Sequence, residues 1–506
     1  MKNKYSIFSL VKNAFSYHEN WEKAWKDPEP KKEYEAIIIG GGGHGLATAY
    51  YLAKCGYNVT CVEKNANVAR EASYLNGGLV CPSLTLPWPC FGLLKTALVS
   101  ILKGDGNVRV KWNQVLFDPQ FYRWTFSFLH NCTKVDRNFR ASYDLSNFSK
   151  LCMSELPIKP ESYRKTAKGT LSLFPSVMER DGAFDYIKST LRQRGPRLHK
   201  VDAKDCVAKV PLLGRCIESR KPKAGIFSDE DFTGDICSFT ELLAREAERE
   251  GVSFVFSEQV SSMEINKARV TSLTLSSSKL KIENPDVVVV CAGNATPKIA
   301  RDFGDVLLQI PVLGYALEVP TSDPLEISVV DDANKVYAAP LNSADFNAVR
   351  ISGFVEFGES DERIKRPNEK EKELSMTQAQ ELLSSASKFF PKGFIRDSCE
   401  LKLISGEDDV LNNRHNVVRA HVCMRPQTPD DLPIIGKSQQ VKNVYYNAGH
   451  GHLGWTRAVG ASRILAECVT GWTTIKSIHS EDSIIPASLQ SFQGSKAYSP
   501  ARWAWF

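Results

Sequence analysis

Residues 35–63 read EAIIIGGGGHGLATAYYLAKCGYNVTCVE, and this stretch decides the fold. Residues 35–39 are apolar and β-branched, residues 46–54 follow a helical pattern, and residues 58–62 form a second apolar strand. Between the first strand and the helix stands Gly40-x-Gly42-x-x-Gly45, with Gly43 and His44 completing the turn. One glycine permits the tight turn, the next lets backbone approach a pyrophosphate, and the third lets helix pack on strand, while the helix N-terminus faces the phosphate charge. Glu63 ends the second strand where an acid accepts hydrogen bonds from ribose hydroxyls; a solvated carboxylate at a strand end is its plainer reading. The spacing predicts a dinucleotide-binding unit.

The segment after the second strand decides which dinucleotide. Residues 71–78 read EASYLNGG, which places small polar groups and paired glycines just beyond that strand. Ser73, Asn76, Gly77 and Gly78, with Lys64 ahead of them, suit a flavin pyrophosphate and ring approached by backbone; a surface turn is the alternative. Strands over residues 252–256 and 287–291 read as returns to the same sheet and bring Val260, Ala292 and Gly293 to the cofactor. An amphipathic helix over residues 239–250 precedes the first of them. Residues 447–456 read NAGHGHLGWT, so that Gly451, His452, Leu453, Gly454 and Trp455 open a helix. Such a turn points N–H groups at the carbonyl end of an isoalloxazine, where negative charge gathers on reduction. FAD is the expected cofactor.

Composition narrows the class. A chain of 506 residues exceeds one compact core and implies two or more folded units. Hydrophobic and charged shares of 42% and 24% are those of a globular protein, against disorder or a collagen-like body. The 64 basic residues face 58 acidic ones without a long basic block, so no nucleic-acid partner is expected. The 13 cysteines stand singly without a CxxC pair, which fits thiols in a reducing compartment, cytoplasm or organelle matrix, and no metal site. No apolar run reaches the roughly 20 residues that span a bilayer, and residues 1–32 lack a secretory cleavage site. Residues 89–102, PCFGLLKTALVSIL, read either as a buried or domain-packing helix or as a peripheral contact with a membrane surface. Residues 350–402 mix strand-like pieces with a charged helix over 369–388 and read as a second domain's sheet with a covering helix.

Six strings carry a family resemblance: SYLNGGLVCPSLTLPW (73–88), GTLSLF (169–174), the acidic run 229–235, PVLGYALEV (311–319), MRPQTPDDLPIIG (424–436) and NAGHGHLGWTRAVG (447–460). Over residues 56–471 the chain resembles the small, FAD-bearing subunit of bacterial D-amino-acid dehydrogenase, within the wider D-amino-acid oxidase group. Residues 5–54 instead resemble the start of the β subunit of four-subunit sarcosine oxidase. The stretch comparable to that subunit's histidine-linked FMN site, DICSFTELLAREA (235–247), holds no histidine, and no second flavin is carried over.

The resemblance implies an α/β architecture with a Rossmann-like FAD-binding domain of the glutathione-reductase type over residues 34–118, 196–300 and 420–480. It adds a mixed-sheet α+β substrate domain over 119–195 and 301–419, an N-terminal extension over 1–33 and a tail over 481–506. The activity it implies is oxidative deamination of D-amino acids by hydride transfer from the α-carbon to flavin, the imine hydrolysing to a 2-oxo acid and ammonia. The implied electron acceptor is a quinone or a carrier protein ahead of O2. Arg425, before Pro426, matches the arginine that clamps the substrate carboxylate; a surface ion pair is its plainer role. Tyr337, before Ala338-Ala339-Pro340, matches a substrate-positioning tyrosine, or else serves as a core aromatic. Cys423 lies in a Cys-Met context resembling the flavin-linking cysteine of monomeric sarcosine oxidases, or else is a small buried thiol. His450 and His452 are placed to tune flavin or amine, or are structural, and neither is expected as a base. Leu313 departs from the dehydrogenases, which usually carry a basic residue before the Gly-Tyr pair, and their exact substrate pocket is not carried over. Two other readings stay open: oxidation of N-methyl or secondary amino acids such as sarcosine or proline, and a flavin-holding accessory or assembly protein without catalysis.

Overall fold

The structure, a computed structural model, describes residues 34–92, 95, 108–166, 168–216, 221–331, 336–343, 346–358, 367–390, 395, 399–404, 416–470 and 497–503. The extension over 1–33, most of the apolar stretch 89–102 and most of the tail over 481–506 lie outside them.

The chain opens as its sequence predicts, with β1 (Tyr34–Ile39), α1 (Gly43–Lys54) and β2 (Tyr57–Val62). Next come β3 (Val108–Val110), α2 (Pro119–Asn131), α3 (Val135–Glu155), β4 (Thr170–Phe174), β5 (Leu198–Asp202) and β6 (Ala224–Ser228). Asp235 caps α4 (Ile236–Arg249) by accepting from the N–H groups of Cys237 and Ser238, and β7 (Ser253–Val255) and β8 (Val287–Val290) come after it. Then come β9 (Ile310–Pro320), β10 (Ser328–Asp331), β11 (Val336–Pro340), β12 (Ala348–Phe357) and α5 (Glu369–Phe389). The last elements used below are β13 (Glu400–Leu403), β14 (Val417–Gln427), β15 (Ile434–Lys437), β16 (Val444–Ala448) and α6 (Gly454–Thr470).

A six-stranded sheet runs in the order β15-β16-β8-β1-β2-β7. β1 pairs in parallel with β2 on one side and β8 on the other, Ile38 standing opposite both Cys61 and Val289. Ala36, Ile37 and Ile38 are buried, as a strand covered on both faces requires. Leu46 and Leu52 of α1, Leu243 of α4 and Val459 and Leu465 of α6 share the core on one face of this sheet.

The second sheet is mixed, in the order β13-β14-β9-β12-β11-β10-β4-β6-β5 with β3 beside β12. Alternation decides its two faces. Leu313, Tyr315 and Leu317 of β9 pack with Ala379 and Leu382 of α5 on one side. Ala316, on the other, packs with Tyr74 and Leu75, next to the expected cofactor segment. A buried ion cluster binds the two parts: Arg350 contacts Glu318 at 3.1 Å and Asp235 at 3.7 Å, and Arg419 contacts Glu318 at 3.3 Å and the Tyr74 hydroxyl at 3.2 Å.

Sheet membership departs from the expected segment boundaries. β3, β5 and β6, expected with the dinucleotide unit, and β14 beyond its expected boundary at 420, all hydrogen-bond into the mixed sheet. α3, expected on the substrate side, places Leu145, Phe148 and Cys152 in the core beneath α6. The cause is that a strand belongs to the sheet that satisfies its N–H and C=O groups, and here those partners lie far along the chain.

Candidate active site

A continuous cleft of about 2360 Å³ runs from the fingerprint glycines to the mixed sheet. It exceeds the roughly 300–1,000 Å³ of a drug-sized site, leaving room for a dinucleotide and a second small molecule. The residues singled out in the sequence for the cofactor all line it except Gly45, which is buried beneath.

The glycines differ in what requires them. A β-carbon on Gly45 would lie 1.8 Å from the Gly40 carbonyl oxygen, so α1 sits on β1 only because that atom is missing. Gly40 has φ of +113° and would place a β-carbon 2.6 Å from the Cys291 carbonyl oxygen. At Gly42 a β-carbon would meet Ser73 Oγ at 3.6 Å and nothing nearer, so the protein itself makes no demand for glycine there. The open space belongs to the cleft. α1 starts without a side-chain cap and with no acid in its first turn, and its positive end faces that space.

Glu63 is fixed rather than free: Gly41 N–H donates to Oε2 at 2.6 Å and Asn65 N–H to Oε1 at 2.8 Å. Its remaining lone pairs are held at the cleft, ready for hydroxyl donors. Lys64 pairs with Glu71 at 2.5 Å, and Ser73 Oγ accepts from Gly43 N–H. Arg350 donates to the Asn76 carbonyl at 3.0 Å, so the mixed sheet steadies the 76–78 turn.

Opposite, the loop before α6 brings His450 onto His44, with ring centroids 3.6 Å apart. Burial lowers His44 to about 4, against a backbone hydrogen bond with Gly454, and Arg457 adds to the lowering. Burial, His44 and Arg457 hold His450 well below the ordinary histidine value. Both rings are neutral at pH 7, and His44 Nε2 and Trp455 Nε1 find no acceptor or donor among the described residues. His452 stacks on Trp88, with centroids 5.1 Å apart, and its Nδ1 lies 3.5 Å from Asp431. Burial works to raise the Asp431 pKa, but His452, Arg457 and Gln427 outweigh it and lower it. An uncapped helix start, an open glycine, a fixed carboxylate with lone pairs left over and ring nitrogens unpaired among the described residues together fit FAD. Among the described residues no cluster fit for a metal is present.

At the mixed sheet, Arg425 lies in β14 opposite Val312 of β9. Its Nη1 donates to the carbonyls of Leu313 at 3.3 Å and Phe354 at 3.1 Å, and among the described residues no carboxylate pairs with it. The seat depends on two features the sequence does not announce. Pairing between β9 and β12 shifts between Leu313 and Tyr315, and Phe354 at that bulge has φ of +61°, a strained conformation that aims its carbonyl at the guanidinium. Gly314 supplies the room.

Tyr337 lines the same cleft but is not beside Arg425. It pairs with Ser352, which pairs with Ala316, three strands and four residue rows from Arg425, or about 20 Å across the sheet. Ser352 Oγ would lie 2.9 Å from a β-carbon on Gly77, so the row that carries Tyr337 runs beside the 76–78 turn. Leu313, the departure from the family pattern, faces the other way. Its side chain packs toward α5, away from the cleft, and only its carbonyl reaches the site. Cys423 faces Gly314 across β9 and lines the cleft; burial raises its pKa, with Arg425 opposing, which keeps it a thiol.

The chain is 28% identical over 467 residues to D-amino acid dehydrogenase of Vibrio vulnificus strain CMCP6, covering 91% of this chain and 99% of that one. It is 29% identical over 444 residues to the D-amino acid dehydrogenase of Paramagnetospirillum magneticum, covering 86% and 95%. Among solved structures, L-proline dehydrogenase from P. horikoshii matches with a TM-score of 0.63 at 15% identity over 94% of this chain and 98% of that one. Glycine oxidase from Bacillus cereus ATCC 14579 matches with a TM-score of 0.55 at 16% identity over 87% and 95%; both likenesses concern the fold. The family model described as FAD dependent oxidoreductase, DAO, matches residues 35–468, and with that match added to the dinucleotide cleft, the chain belongs to the DAO family of FAD-dependent oxidoreductases.

Proposed function

We propose that the protein oxidises a D-amino acid at its α-carbon, giving an imine that water hydrolyses to a 2-oxo acid and ammonia. FAD, when bound, supplies the hydride acceptor. The chain's own task is placement. The single observation that carries the reading is Arg425, whose guanidinium is held by two backbone carbonyls in the cleft with no carboxylate of the described residues against it. A planar cation so held accepts a substrate carboxylate through two parallel hydrogen bonds and fixes the α-carbon relative to the cofactor site. No base is required, because an amine bound neutral leaves only the α-hydrogen to be removed; His44 and His450, their pKa values lowered by burial, are weak proton acceptors. The curated relatives named D-amino acid dehydrogenase support the choice of substrate.

The electron acceptor we propose is a quinone or a carrier protein. Among the described residues no helix is long and apolar enough to cross a membrane. Peripheral membrane contact finds support in Trp112, which lines the cleft, and in Phe117 and Phe126 nearby in the chain, which are 53%, 88% and 65% exposed.

Anaerobic bleaching of the flavin absorbance by a panel of D-amino acids, L-amino acids, sarcosine and proline tests the proposal. Bleaching by D-amino acids alone supports it. Bleaching by sarcosine or proline alone replaces it with secondary-amine oxidation, and a flavin that no amine reduces replaces it with a non-catalytic role.

A further inference from the structure

We infer that the amino acid taken by this site carries a large apolar side chain, above all an aromatic one; the inference builds on the carboxylate clamp proposed for Arg425. Arg425 stands opposite Val312, Val312 opposite Phe357, and Phe357 opposite Val110. Directly paired residues share a face of the sheet. Outward from the clamp, that row of the face offers valine and phenylalanine alone among the described residues. α2 lies against it. Trp124 is buried against Val312, its indole N–H donates to the Gln427 carbonyl at 2.9 Å, two residues beyond Arg425, and its ring stacks on Phe128 at 5.1 Å. Trp88, Phe128 and Phe357 are only partly buried and line the cleft.

The charges of the same strands point the other way. Arg109, next to Val110, pairs with Glu356, next to Phe357, and with Glu381 of α5 on the opposite face. A charged substrate side chain would meet this wall with no counter-charge and lose its water. A methyl group would leave the wall facing solvent. A ring or long aliphatic chain removes that surface from water, at about fourfold in affinity per buried methylene.

The test reads binding without turnover. FAD-loaded protein is titrated with carboxylic acids that lack an amine, and the perturbation of the flavin's visible absorbance is followed. We expect 3-phenylpropionate to bind at least 10-fold more tightly than propionate, and succinate more weakly than either. Phe128→Ala should remove most of the gap between phenylpropionate and propionate and leave propionate unchanged, while Phe128→Leu should keep part of the gap. Equal binding of the three acids, or a preference for succinate, overturns the inference. The clamp reading fails separately. Acids that discriminate as expected while no D-amino acid bleaches the flavin would sink the proposed reaction and leave the apolar chamber standing. D-alanine and D-aspartate bleaching ahead of D-phenylalanine would do the reverse.

Discussion

The guanidinium of Arg425 occupies the place of the side chain that Gly314 lacks: a β-carbon on Gly314 would lie 2.0 Å from Nη1 and 2.3 Å from Cζ. Gly314→Ala should therefore unseat the arginine without touching the flavin segments. We expect the Michaelis constant for the amino acid to rise about 10- to 100-fold with kcat much less affected, as removal of a ground-state contact predicts. Arg425→Ala should do the same, and the double variant should be no worse than Arg425→Ala alone, because both act through one group. Steady-state kinetics with flavin content measured in parallel checks this; additive losses would separate Gly314 from the clamp.

Gly42 and Gly45 should fail differently. Gly45→Ala forces a methyl group into the Gly40 carbonyl and should destabilise the flavin-free protein by several kcal/mol or prevent folding. Gly42→Val finds room in the flavin-free protein and should change its melting temperature little, while flavin retention is lost. Thermal melts of cofactor-stripped protein beside absorbance at 450 nm, about the usual flavin band, distinguish the two; a yellow, fully loaded Gly42→Val protein would mean the pyrophosphate lies elsewhere.

Glu318→Gln removes the carboxylate shared by Arg350 and Arg419. Two buried cations are then undercompensated, at a cost of about 3–5 kcal/mol. Because Arg350 also donates to Asn76, the turn over 76–78 should loosen and FAD should dissociate faster. Denaturant melts and dilution-induced flavin release measure the two effects.

The stacked histidines set a pH dependence with a definite sign. His44 has a folded value of about 4 against an ordinary value of 6.5, so below 6.5 the unfolded chain binds more protons. The stabilising contribution is complete above pH 6.5 and is lost as pH falls toward 4. With the ring partly facing the cleft, the loss between pH 7 and pH 4.5 should be about 2 kcal/mol. Asp231 and Glu467, raised by burial to about 6 and about 7, act in the opposite direction. The difference between wild type and His44→Phe, measured by denaturant melts of flavin-free protein at both pH values, isolates the histidine; a difference independent of pH would show that His44 titrates in the fold as it does in the unfolded chain.

Much of the dinucleotide half is legible in the sequence because its signals are local. The strand, glycine turn and helix over Tyr34 to Lys54 are consecutive, and Glu63 lies within the same unit. The family strings around Arg425 and His450 are local too. The illegible part depends on pairing at a distance. β5 and β6 pair antiparallel and join β4, and nothing within residues 198–228 states which sheet will take them. The bulge at Phe354 arises from register between β9 and β12, and Gly314 acquires its meaning only from Arg425 lying across it. Tyr337 illustrates the converse. Its local string matches a family pattern, but the number of strands between it and Arg425 decides what both can touch, and that number is a property of the sheet.

The order of the six-stranded sheet also sets a problem for the chain while it is being made. β1 gains β2 almost at once, but its other edge is reserved for Val287–Val290, which leaves the ribosome roughly ten seconds to a minute later at ordinary elongation rates. Through that interval Ala36–Ile39 present an unpaired, wholly apolar strand edge, the kind of template on which nascent chains pair wrongly with one another. Any truncation ending before Val287 makes the exposure permanent.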